Sequence, residues 1–257
     1  MSGNNESVQI EGRKVVVTGG SRGLGLGIVE ALVARKANVT VVARDKERLA
    51  EVAKRLSVAT IQGDITDRAL ARNVLREVRP SALVLNAGAS PGMGTVDTMS
   101  WEDFEKPWQT DVKAAFHWVQ EAIALPLPRG SRVILGSSGA AVKGSPMSGG
   151  YAGSKRAVWL MAQYANYAIA DRDLGIHFQT ILPMQIMGDT ELGRAGAKAY
   201  ADRKGVSVEK FLESFGPNQL NPKKVGEHVV SLLADPKYAT GVAFGLKGDA
   251  GIVSLDG

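Results

Sequence analysis

The sequence predicts an α/β protein in which helices cover both faces of a doubly wound, mainly parallel sheet. Short runs of β-branched residues alternate with amphipathic helical segments from residue 14 onward. The first run leads through a glycine-rich turn directly into a helix. No internal repeat or low-complexity linker divides the 257 residues, so we expect a single domain over residues 1–257.

The strands are predicted from short apolar runs that are bounded by turns or by helical segments. The first, Lys14–Thr18, follows a polar lead-in at residues 1–12 that we expect to be loose. Six further runs have a similar length and apolar character. They lie at residues 38–43, 58–62, 82–85, 132–135, 176–182 and 241–245.

The helices are predicted from apolar residues at intervals of three and four and from capping residues. Leu24, Ile28 and Leu32 share one face of the first helix. Asp45 is placed to cap the second, and Ser100 to cap a long helix with a bend or break at Pro107. The predicted helices cover residues 24–35, 45–55, 67–78, 101–124, 151–170, 195–203, 208–215 and 222–233.

Composition limits the classes of function. The chain is 44% hydrophobic and 22% charged, which suits one large core. It has no cysteine, and its three histidines show no ligand spacing, so we expect neither a disulfide nor a metal site. The net charge of +5 favours anionic small molecules, but no basic block with interleaved aromatic residues predicts nucleic-acid binding. Because an apolar leader and a membrane-spanning run are both lacking, we expect a cytoplasmic protein without membrane contact.

The turn after the first strand has the composition of a phosphate-binding loop. It reads Gly19-Gly20-Ser21-Arg22-Gly23-Leu24-Gly25. Glycine permits a positive φ and a close approach of the backbone to a ligand. The helix that follows presents free N–H groups and a positive dipole end to a pyrophosphate. An ordinary βα turn is the alternative interpretation.

Tyr151 and Lys155 are the candidate acid–base pair. Four residues apart on a helix, they lie on one face, one turn from each other. A neighbouring ammonium group favours the phenolate form of a tyrosine, which makes Tyr151 a credible general acid and base. Ser138, which follows the fifth strand, offers a hydroxyl that can hold and polarise a carbonyl oxygen. Such a pair also arises by chance on a half-exposed helix, so the rest of the sequence must decide whether it is a catalytic pair.

With these residues placed, the chain resembles the short-chain dehydrogenase/reductase family. The resemblance runs from residue 14 to about residue 251 and rests on the combined motifs. These are the turn at Thr18–Gly25, Asn86-Ala87-Gly88, Ser138, and Tyr151 with Lys155. It implies a Rossmann-type domain with a parallel sheet of about seven strands. It also implies hydride transfer between a nicotinamide cofactor and a carbonyl or alcohol substrate.

The resemblance implies a role for each matching position. Tyr151 transfers the proton, Lys155 favours the phenolate and bonds the nicotinamide ribose, and Ser138 orients the carbonyl. Asp64 bonds the adenine, whereas Asn86 lies at the adenosine ribose or ties neighbouring strands together. The implied cofactor contacts are Gly19, Ser21, Arg22, Gly23, Leu24, Gly25, Arg44, Asp64, Ile65, Asn86, Ala87, Gly88, Tyr151, Lys155, Pro183 and Ile186.

The residues at the end of the second strand predict NADP(H) rather than NAD(H). An acidic residue there would accept hydrogen bonds from a ribose 2′-OH. This chain has Ala43 followed by Arg44, and an arginine can pair with a 2′-phosphate in a bidentate manner. Arg22, inside the glycine turn, adds a second positive charge. The alternative is two solvated arginines beside a loosely held NAD.

Two stretches depart from the family pattern. Asp111 stands where many members have an asparagine that helps to hold a water in the proton relay. A carboxylate there can accept hydrogen bonds and pair with Lys155, but it cannot donate when ionised, and it opposes formation of the phenolate. After the sixth strand Met184 replaces the usual glycine, and Thr190 lies further along than the usual threonine.

The resemblance implies that residues 188–221 form a lid over the substrate, which we expect to be a moderately hydrophobic small-molecule carbonyl or alcohol. Leu192, Tyr200, Phe211, Leu212 and Phe215 either line the pocket or simply dock the lid on the core. The resemblance also implies a homodimer or homotetramer that forms through the two long central helices, with Trp118, Trp159 and Tyr167 as candidate interface aromatics unless the core buries them. A nucleotide-binding sensor or scaffold with little turnover, and a dehydratase or epimerase on the same site, are the alternative functions.

Overall fold

A computed structural model describes residues 9–256 and contains one eight-stranded sheet with the order β3-β2-β1-β4-β5-β6-β7-β8. Strands β1 to β7 are parallel, and β8 pairs with β7 in the antiparallel direction. The strands are β1 (Lys14–Thr18), β2 (Asn38–Ala43), β3 (Ala59–Gln62), β4 (Ala82–Leu85), β5 (Ser131–Gly136), β6 (Ile176–Pro183), β7 (Ala243–Lys247) and β8 (Gly251–Ser254).

The helices connect the parallel strands as crossovers, which places them on the two faces of the sheet. They are α1 (Gly23–Ala34), α2 (Lys46–Leu56), α3 (Arg68–Val78), α4 (Trp101–Pro107), α5 (Lys113–Ala124), α6 (Ala140–Lys143), α7 (Tyr151–Ile169), α8 (Glu191–Lys204), α9 (Val208–Glu213) and α10 (Pro222–Ala234). A π-helical turn at Trp108–Val112 joins α4 to α5, and a 3-10 turn at Pro236–Tyr238 follows α10.

The alternation of side chains along the strands divides the core into two layers. Val15 and Val17 of β1 face the layer that contains α1, α2 and α10, whereas Val16 between them faces α3, α5 and α7. All three valines are fully buried. The sheet is therefore covered by helices on both faces, which is the doubly wound α/β arrangement that the sequence predicts.

The position of the site follows from the order of the strands. The chain passes from β1 to β2 and β3 in one direction and then returns to β4 on the other side of β1. Loops that leave the carboxyl ends of β1 and β4 consequently diverge around a crevice, which is where doubly wound sheets bind ligands. The glycine turn leaves β1, and the Asn86-Ala87-Gly88 segment leaves β4.

The structure departs from the predicted elements in several places; α6 was not predicted, and α8 begins at Glu191 and not at residue 195. The strand expected at residues 241–245 is β7 at Ala243–Lys247, and β8 follows it as an eighth strand that the sequence reading missed. The helix at Pro107 does not break but changes pitch into the π-helical turn. Residues 1–8 of the expected loose lead-in lie outside the described residues, while Ile10 is buried in the core. Within residues 9–256, none of the helices combines the length and apolar character needed to cross a bilayer.

Candidate active site

The glycine turn brings the backbone of β1, α1 and the β4 loop into contact. Gly19 has a φ of +69°, and a Cβ there would lie 2.8 Å from the Cα of Ala87. A Cβ on Gly25 would collide with the carbonyl oxygen of Gly19. Arg22 is the N-cap of α1 and makes no side-chain capping bond, so the first turn of this helix is not closed by a cap. A tight, bare helix N-terminus of this kind suits an anionic group.

Thr18 fixes the β4 loop beside this turn. Its Oγ1 accepts hydrogen bonds from the backbone N–H groups of Asn86, at 3.1 Å, and Ala87, at 3.2 Å. The Asn86 side chain reaches back to the Thr18 carbonyl oxygen at 3.5 Å, and it packs closely against Gly25. Asn86 therefore ties β4 to β1, which is the structural role that the sequence left open beside ribose binding.

Tyr151 begins α7, and two serine hydroxyls fix the backbone around it. Ser137 Oγ, which is buried, donates to the carbonyl oxygen of Lys155 at 2.7 Å, and Ser154 Oγ donates to that of Tyr151 at 2.8 Å. Ser138 lies directly after β5, and its Oγ accepts a hydrogen bond from the N–H of Ala140 at 3.2 Å. The three candidate side chains at 138, 151 and 155 are thereby held at the carboxyl end of the sheet.

Lys155 is buried and lies beside Tyr151. Its Nζ is 5.6 Å from the centre of the Tyr151 ring and donates to the carbonyl oxygen of Gly136 at 3.0 Å. On the other side, Nζ lies 2.9 Å from Oδ2 of Asp111, and both side chains are at most 8% exposed. At 2.9 Å the contact is an ion pair between a buried ammonium group and a buried carboxylate.

Asp111 is directed to Lys155 by the π-helical turn. π-Helical turns are often found at functional sites, and this one follows a proline, which cannot donate to the preceding turn. Oδ1 of Asp111 accepts a hydrogen bond from the N–H of Ala89 at 2.7 Å, and the backbone of Gly88 packs against the carboxylate. The β4 loop, the π-helical turn and α7 therefore converge on one carboxylate.

The charges around Lys155 decide its protonation. Burial favours the neutral amine, but the charge of Asp111, with smaller contributions from Tyr151, outweighs it and raises the pKa of Lys155. The lysine is therefore protonated throughout the neutral range. A cavity of about 10 Å³ lies behind the pair, lined by Thr18, Trp118 and Gly136 among others, and its volume is at the lower limit for one water molecule.

A group of arginines lies at the open side of the glycine turn. Arg22 Nη1 donates to Oε2 of Glu191, and Arg48 Nη1 lies 3.4 Å from the other carboxylate oxygen, Oε1. Arg44 is exposed directly after β2, where its charge acts on Asp64; we refer to Arg22, Arg44 and Arg48 together as the arginine cluster. Arg48 was not among the predicted site residues; it lies in the first turn of α2, five residues after β2 ends, and no local pattern distinguishes it from the other basic residues of that helix.

Asp64 lies in the loop after β3. Its Oδ1 accepts hydrogen bonds from the N–H and the hydroxyl of Thr66, both at 2.9 Å. The hydrogen bond from the Thr66 backbone, against a smaller opposing effect of burial, lowers the pKa of Asp64, and the charge of Arg44 lowers it further. The neighbouring Ile65 is buried in the core and accepts a hydrogen bond from Trp118 through its carbonyl oxygen.

The segment after β6 is held down by Gln185. Its Oε1 accepts hydrogen bonds from the N–H groups of Leu220, at 2.9 Å, and Gly248, at 3.1 Å, so this side chain ties three loops together. Pro183 accepts a hydrogen bond from the N–H of Gly139 through its carbonyl oxygen. Ile186 packs beneath the predicted lid.

The predicted lid consists of α8 and α9 and has a small core of its own. Phe211 is buried there, and Tyr200, Leu212 and Phe215 pack against it. These side chains therefore pack mainly against one another within the lid, whereas the two roles expected of them were to line the pocket or to dock the lid on the core. The Tyr200 hydroxyl also lies 2.9 Å from Ser145 Oγ, which connects α8 to the loop that precedes Tyr151.

The three candidate interface aromatics have different surroundings. Trp118 is fully buried and Trp159 is 8% exposed, so both belong to the core of this chain, which is the alternative that the sequence left open for them. Tyr167 is 87% exposed at the end of α7, with Tyr164 beside it on the same helix.

Comparison with known proteins gives the family. The model of the family described as short chain dehydrogenase matches residues 13–199. The uncharacterized oxidoreductase YghA of Escherichia coli (strain K12) is 28% identical over 190 residues, which are 69% of this chain and 63% of that protein. The alignment thus spans less than two thirds of this relative's length.

Two solved structures have the same fold. A short chain dehydrogenase from Burkholderia cenocepacia J2315, in complex with NADP, superposes with a TM-score of 0.76 at 26% identity and covers 94% of this chain and 98% of its own. L-Sorbose reductase from Gluconobacter frateurii, complexed with NADPH and L-sorbose, superposes with a TM-score of 0.78 at 22% identity and with the same coverages. Since the matched family model covers most of the chain and the Rossmann-type sheet agrees with it, this protein belongs to the short chain dehydrogenase family.

Proposed function

We propose that the protein is an NADP(H)-dependent oxidoreductase that interconverts a small-molecule carbonyl compound and the corresponding secondary alcohol. The observation that carries the proposal is the placement of buried Lys155 beside Tyr151 on α7, with Nζ 5.6 Å from the ring centre; Ser138 follows β5, whose carboxyl end lies at the same edge of the sheet as that of β1. Tyr151 is part-exposed, whereas Lys155 is buried and charged behind it. A proton-transfer group that faces a crevice, supported by a buried cation, is the arrangement that acid–base chemistry requires.

The glycine turn fits a dinucleotide. Gly19 and Gly23 both have positive φ values, and the nearest side chain to a Cβ on Gly23 is Thr190, at 3.8 Å, so the turn has an open side. The uncapped N-terminus of α1 would hold the pyrophosphate, and the arginine cluster would hold a 2′-phosphate. The binding of NADP by the Burkholderia cenocepacia structure, at 26% identity, supports this choice.

The chemistry divides between the cofactor and the chain. NADP(H) supplies or accepts the hydride at the substrate carbon. In the direction of reduction, Ser138 Oγ would bind the carbonyl oxygen and Tyr151 would donate its phenolic proton to that oxygen as the C=O bond becomes C–OH. The ammonium group of Lys155 stabilises the phenolate that remains. In the direction of oxidation the phenolate takes the proton back from the alcohol.

Further features are part of the same proposal. Asp111, through its ion pair with Lys155, supports turnover by fixing the lysine, and the backbone of Ile186 would contact the nicotinamide.

Exposed Tyr164 and Tyr167 on α7, with Phe116 on α5, give those helices an apolar face that suits a homodimer or homotetramer in the cytoplasm.

Cofactor binding is the first test. Purified full-length protein is titrated with NADPH and with NADH, and nicotinamide fluorescence is followed for wild type and for Arg44→Ala. We expect NADPH to bind at least about tenfold more tightly, and most of that preference to be lost in the variant because one phosphate contact is removed. Arg129→Ala is the control, since this exposed arginine pairs with Asp173. Equal binding of both nucleotides would contradict the arginine argument.

Turnover is the second test. A panel of ketoses, aldehydes and ketones is screened for oxidation of NADPH at 340 nm, and the best substrate is then used with Tyr151→Phe. We expect this variant to keep its NADPH affinity and to lose at least about a hundredfold in rate, the usual contribution of a general acid. Tyr164→Phe, on the same helix but 64% exposed, is the matched control and should retain full activity.

One observation favours a second candidate, a nucleotide-binding protein with little turnover. The Asp111 carboxylate offsets the charge of Lys155 and thereby opposes formation of the Tyr151 phenolate. Under this alternative no substrate in the panel gives turnover, although NADPH binds tightly. A large gain of activity in Asp111→Asn would show that the carboxylate is a handicap and would favour this candidate.

A further inference from the structure

Glu191 holds a position that the proposed function leaves unexplained. It is the first residue of α8, and its carboxylate bridges two arginines from separate parts of the chain. Oε2 accepts from Arg22 Nη1, at the N-cap of α1, and Oε1 lies 3.4 and 3.5 Å from the two terminal nitrogens of Arg48, on α2. The first turn of the predicted lid is thus tied to the glycine turn through Arg22 and to α2 through Arg48.

The two arginines are placed as an anion-binding pair. A guanidinium group offers paired donors that match the oxygens of a carboxylate or of a phosphate. Asp45 also lies near Arg48, with Oδ2 at 3.3 Å from Nε, but it belongs to the cap of α2 and accepts from the backbone N–H of Arg48 as well. The outer donors of Arg48 are therefore directed to Glu191.

The same contact brings α8 over the glycine turn. Thr190, the N-cap of α8, is the residue closest to the open side of Gly23, where a Cβ would lie 3.8 Å from its Cγ2. The Glu191 side chain is 62% exposed, so it can swing into solvent without leaving a buried charge behind. A competing anion can consequently displace Glu191 from the two arginines at a small cost in free energy.

We propose that Glu191 is an internal competitor for the 2′-phosphate of NADP(H), so that phosphate binding to Arg22 and Arg48 releases the start of α8. A carboxylate carries one negative charge and a phosphate monoester between about 1.5 and 2, so the phosphate is the stronger ligand for the pair. Glu191 then sets the cofactor affinity and couples cofactor binding to movement of the lid. This inference rests on the proposed NADP(H) dependence.

The experiment uses the full-length protein and Glu191→Gln, which keeps the shape of the side chain and removes its charge. Each is titrated with NADPH, NADH, adenosine 2′,5′-bisphosphate and 5′-AMP. We expect Glu191→Gln to bind the two ligands with a 2′-phosphate about tenfold more tightly and the other two within about twofold of wild type. Glu209→Gln, an exposed acid on α9, is the control and should resemble wild type throughout.

Hydrogen exchange reports on the lid. Adenosine 2′,5′-bisphosphate should speed exchange of the amides in the first turn of α8 in wild type, whereas Glu191→Gln should exchange fast with or without it. In a background that lacks both arginines, Arg22→Ala with Arg48→Ala, the Gln substitution should add little to NADPH affinity, because Glu191 then has neither arginine to compete for.

Three outcomes distinguish a failure of this inference from a failure of the proposed function. If wild type prefers NADPH, Arg22→Ala abolishes the preference and Glu191→Gln changes nothing, the competitor role is overturned and the function stands. If neither NADPH preference nor dependence on Arg22 is found, the phosphate site fails and the inference fails with it. If Glu191→Gln weakens NADH binding alone, the carboxylate is a ribose ligand, which also overturns the inference.

Discussion

Replacement of Asp111 by asparagine removes the charge that keeps Lys155 ionised inside the protein. The two charged groups are 2.9 Å apart, so their Coulomb attraction is about 6 kcal/mol at an effective dielectric constant of about 20. Desolvation offsets part of this, and loss of one partner of a buried pair costs about 3–5 kcal/mol. Asparagine keeps an oxygen for the N–H of Ala89. We therefore expect Asp111→Asn to lower the free energy of unfolding by about 3 kcal/mol.

Urea denaturation at pH 7, followed by tryptophan fluorescence, measures this loss, and the thermal midpoint should fall by about 6–12 °C. Because the folded-state pKa of Lys155 is raised, the stability from the pair is complete below the pKa of an unfolded lysine, about 10.4, and is lost as the pH rises through the folded value. The difference in stability between wild type and variant should therefore persist from pH 7 to 9.

Asp202→Asn, which breaks an exposed pair with Lys198, is the control and should cost at most about 0.5 kcal/mol. A loss below about 1 kcal/mol in Asp111→Asn would refute the argument from burial.

Two further changes test other contacts of the fold. Glu121 is 1% exposed, and its carboxylate binds Arg68 at 2.6 Å and Arg72 at 3.0 Å. The hydrogen bond from Arg72 lowers the pKa of Glu121, although burial acts in the opposite direction. Glu121→Gln should cost about 2 kcal/mol at pH 7, and in urea titrations the difference should shrink as the pH falls below about 4 and the wild-type carboxyl protonates. Gly27 packs against the carbonyl oxygen of Pro222, so the added methyl group of Gly27→Ala should push α1 away from α10. We expect the free energy of unfolding to fall by about 2 kcal/mol, which thermal unfolding would show. An unchanged thermal midpoint would contradict the close contact between the two helices.

The sequence was most informative where the deciding interactions are local. Asp45 and Ser100 do cap their helices, with each side chain accepting from the N–H three residues on. β1, β2 and β4 have the predicted bounds because each is a short apolar run between clear turns. β8 was missed because its four residues, Gly251–Ser254, carry little apolar pattern and gain their order from pairing with β7.

In the candidate site, too, the sequence predicted the local features, whereas long-range contacts decided the roles of other residues. The glycine turn and the spacing of Tyr151 and Lys155 are local, since they depend on one βα turn and one turn of helix. The sequence allowed two roles for Asn86, and only the contact with Thr18, 68 residues away, shows that it ties the strands. Trp118 and Tyr167 were equivalent as interface candidates until the packing of α5 and α7 buried the first and exposed the second.

The sequence by itself determined the family, the order of the elements and the residue types at the site, because these are recorded in short-range spacing. The tertiary structure decided how the charges are paired. The ion pair between Asp111 and Lys155 depends on a π-helical turn meeting α7 across the β4 loop. The bridge from Glu191 to Arg22 joins residues 169 positions apart. The resemblance allowed the pairing of Asp111 with Lys155, but both contacts form only when packed elements bring distant side chains together, and no local pattern indicated the bridge from Glu191.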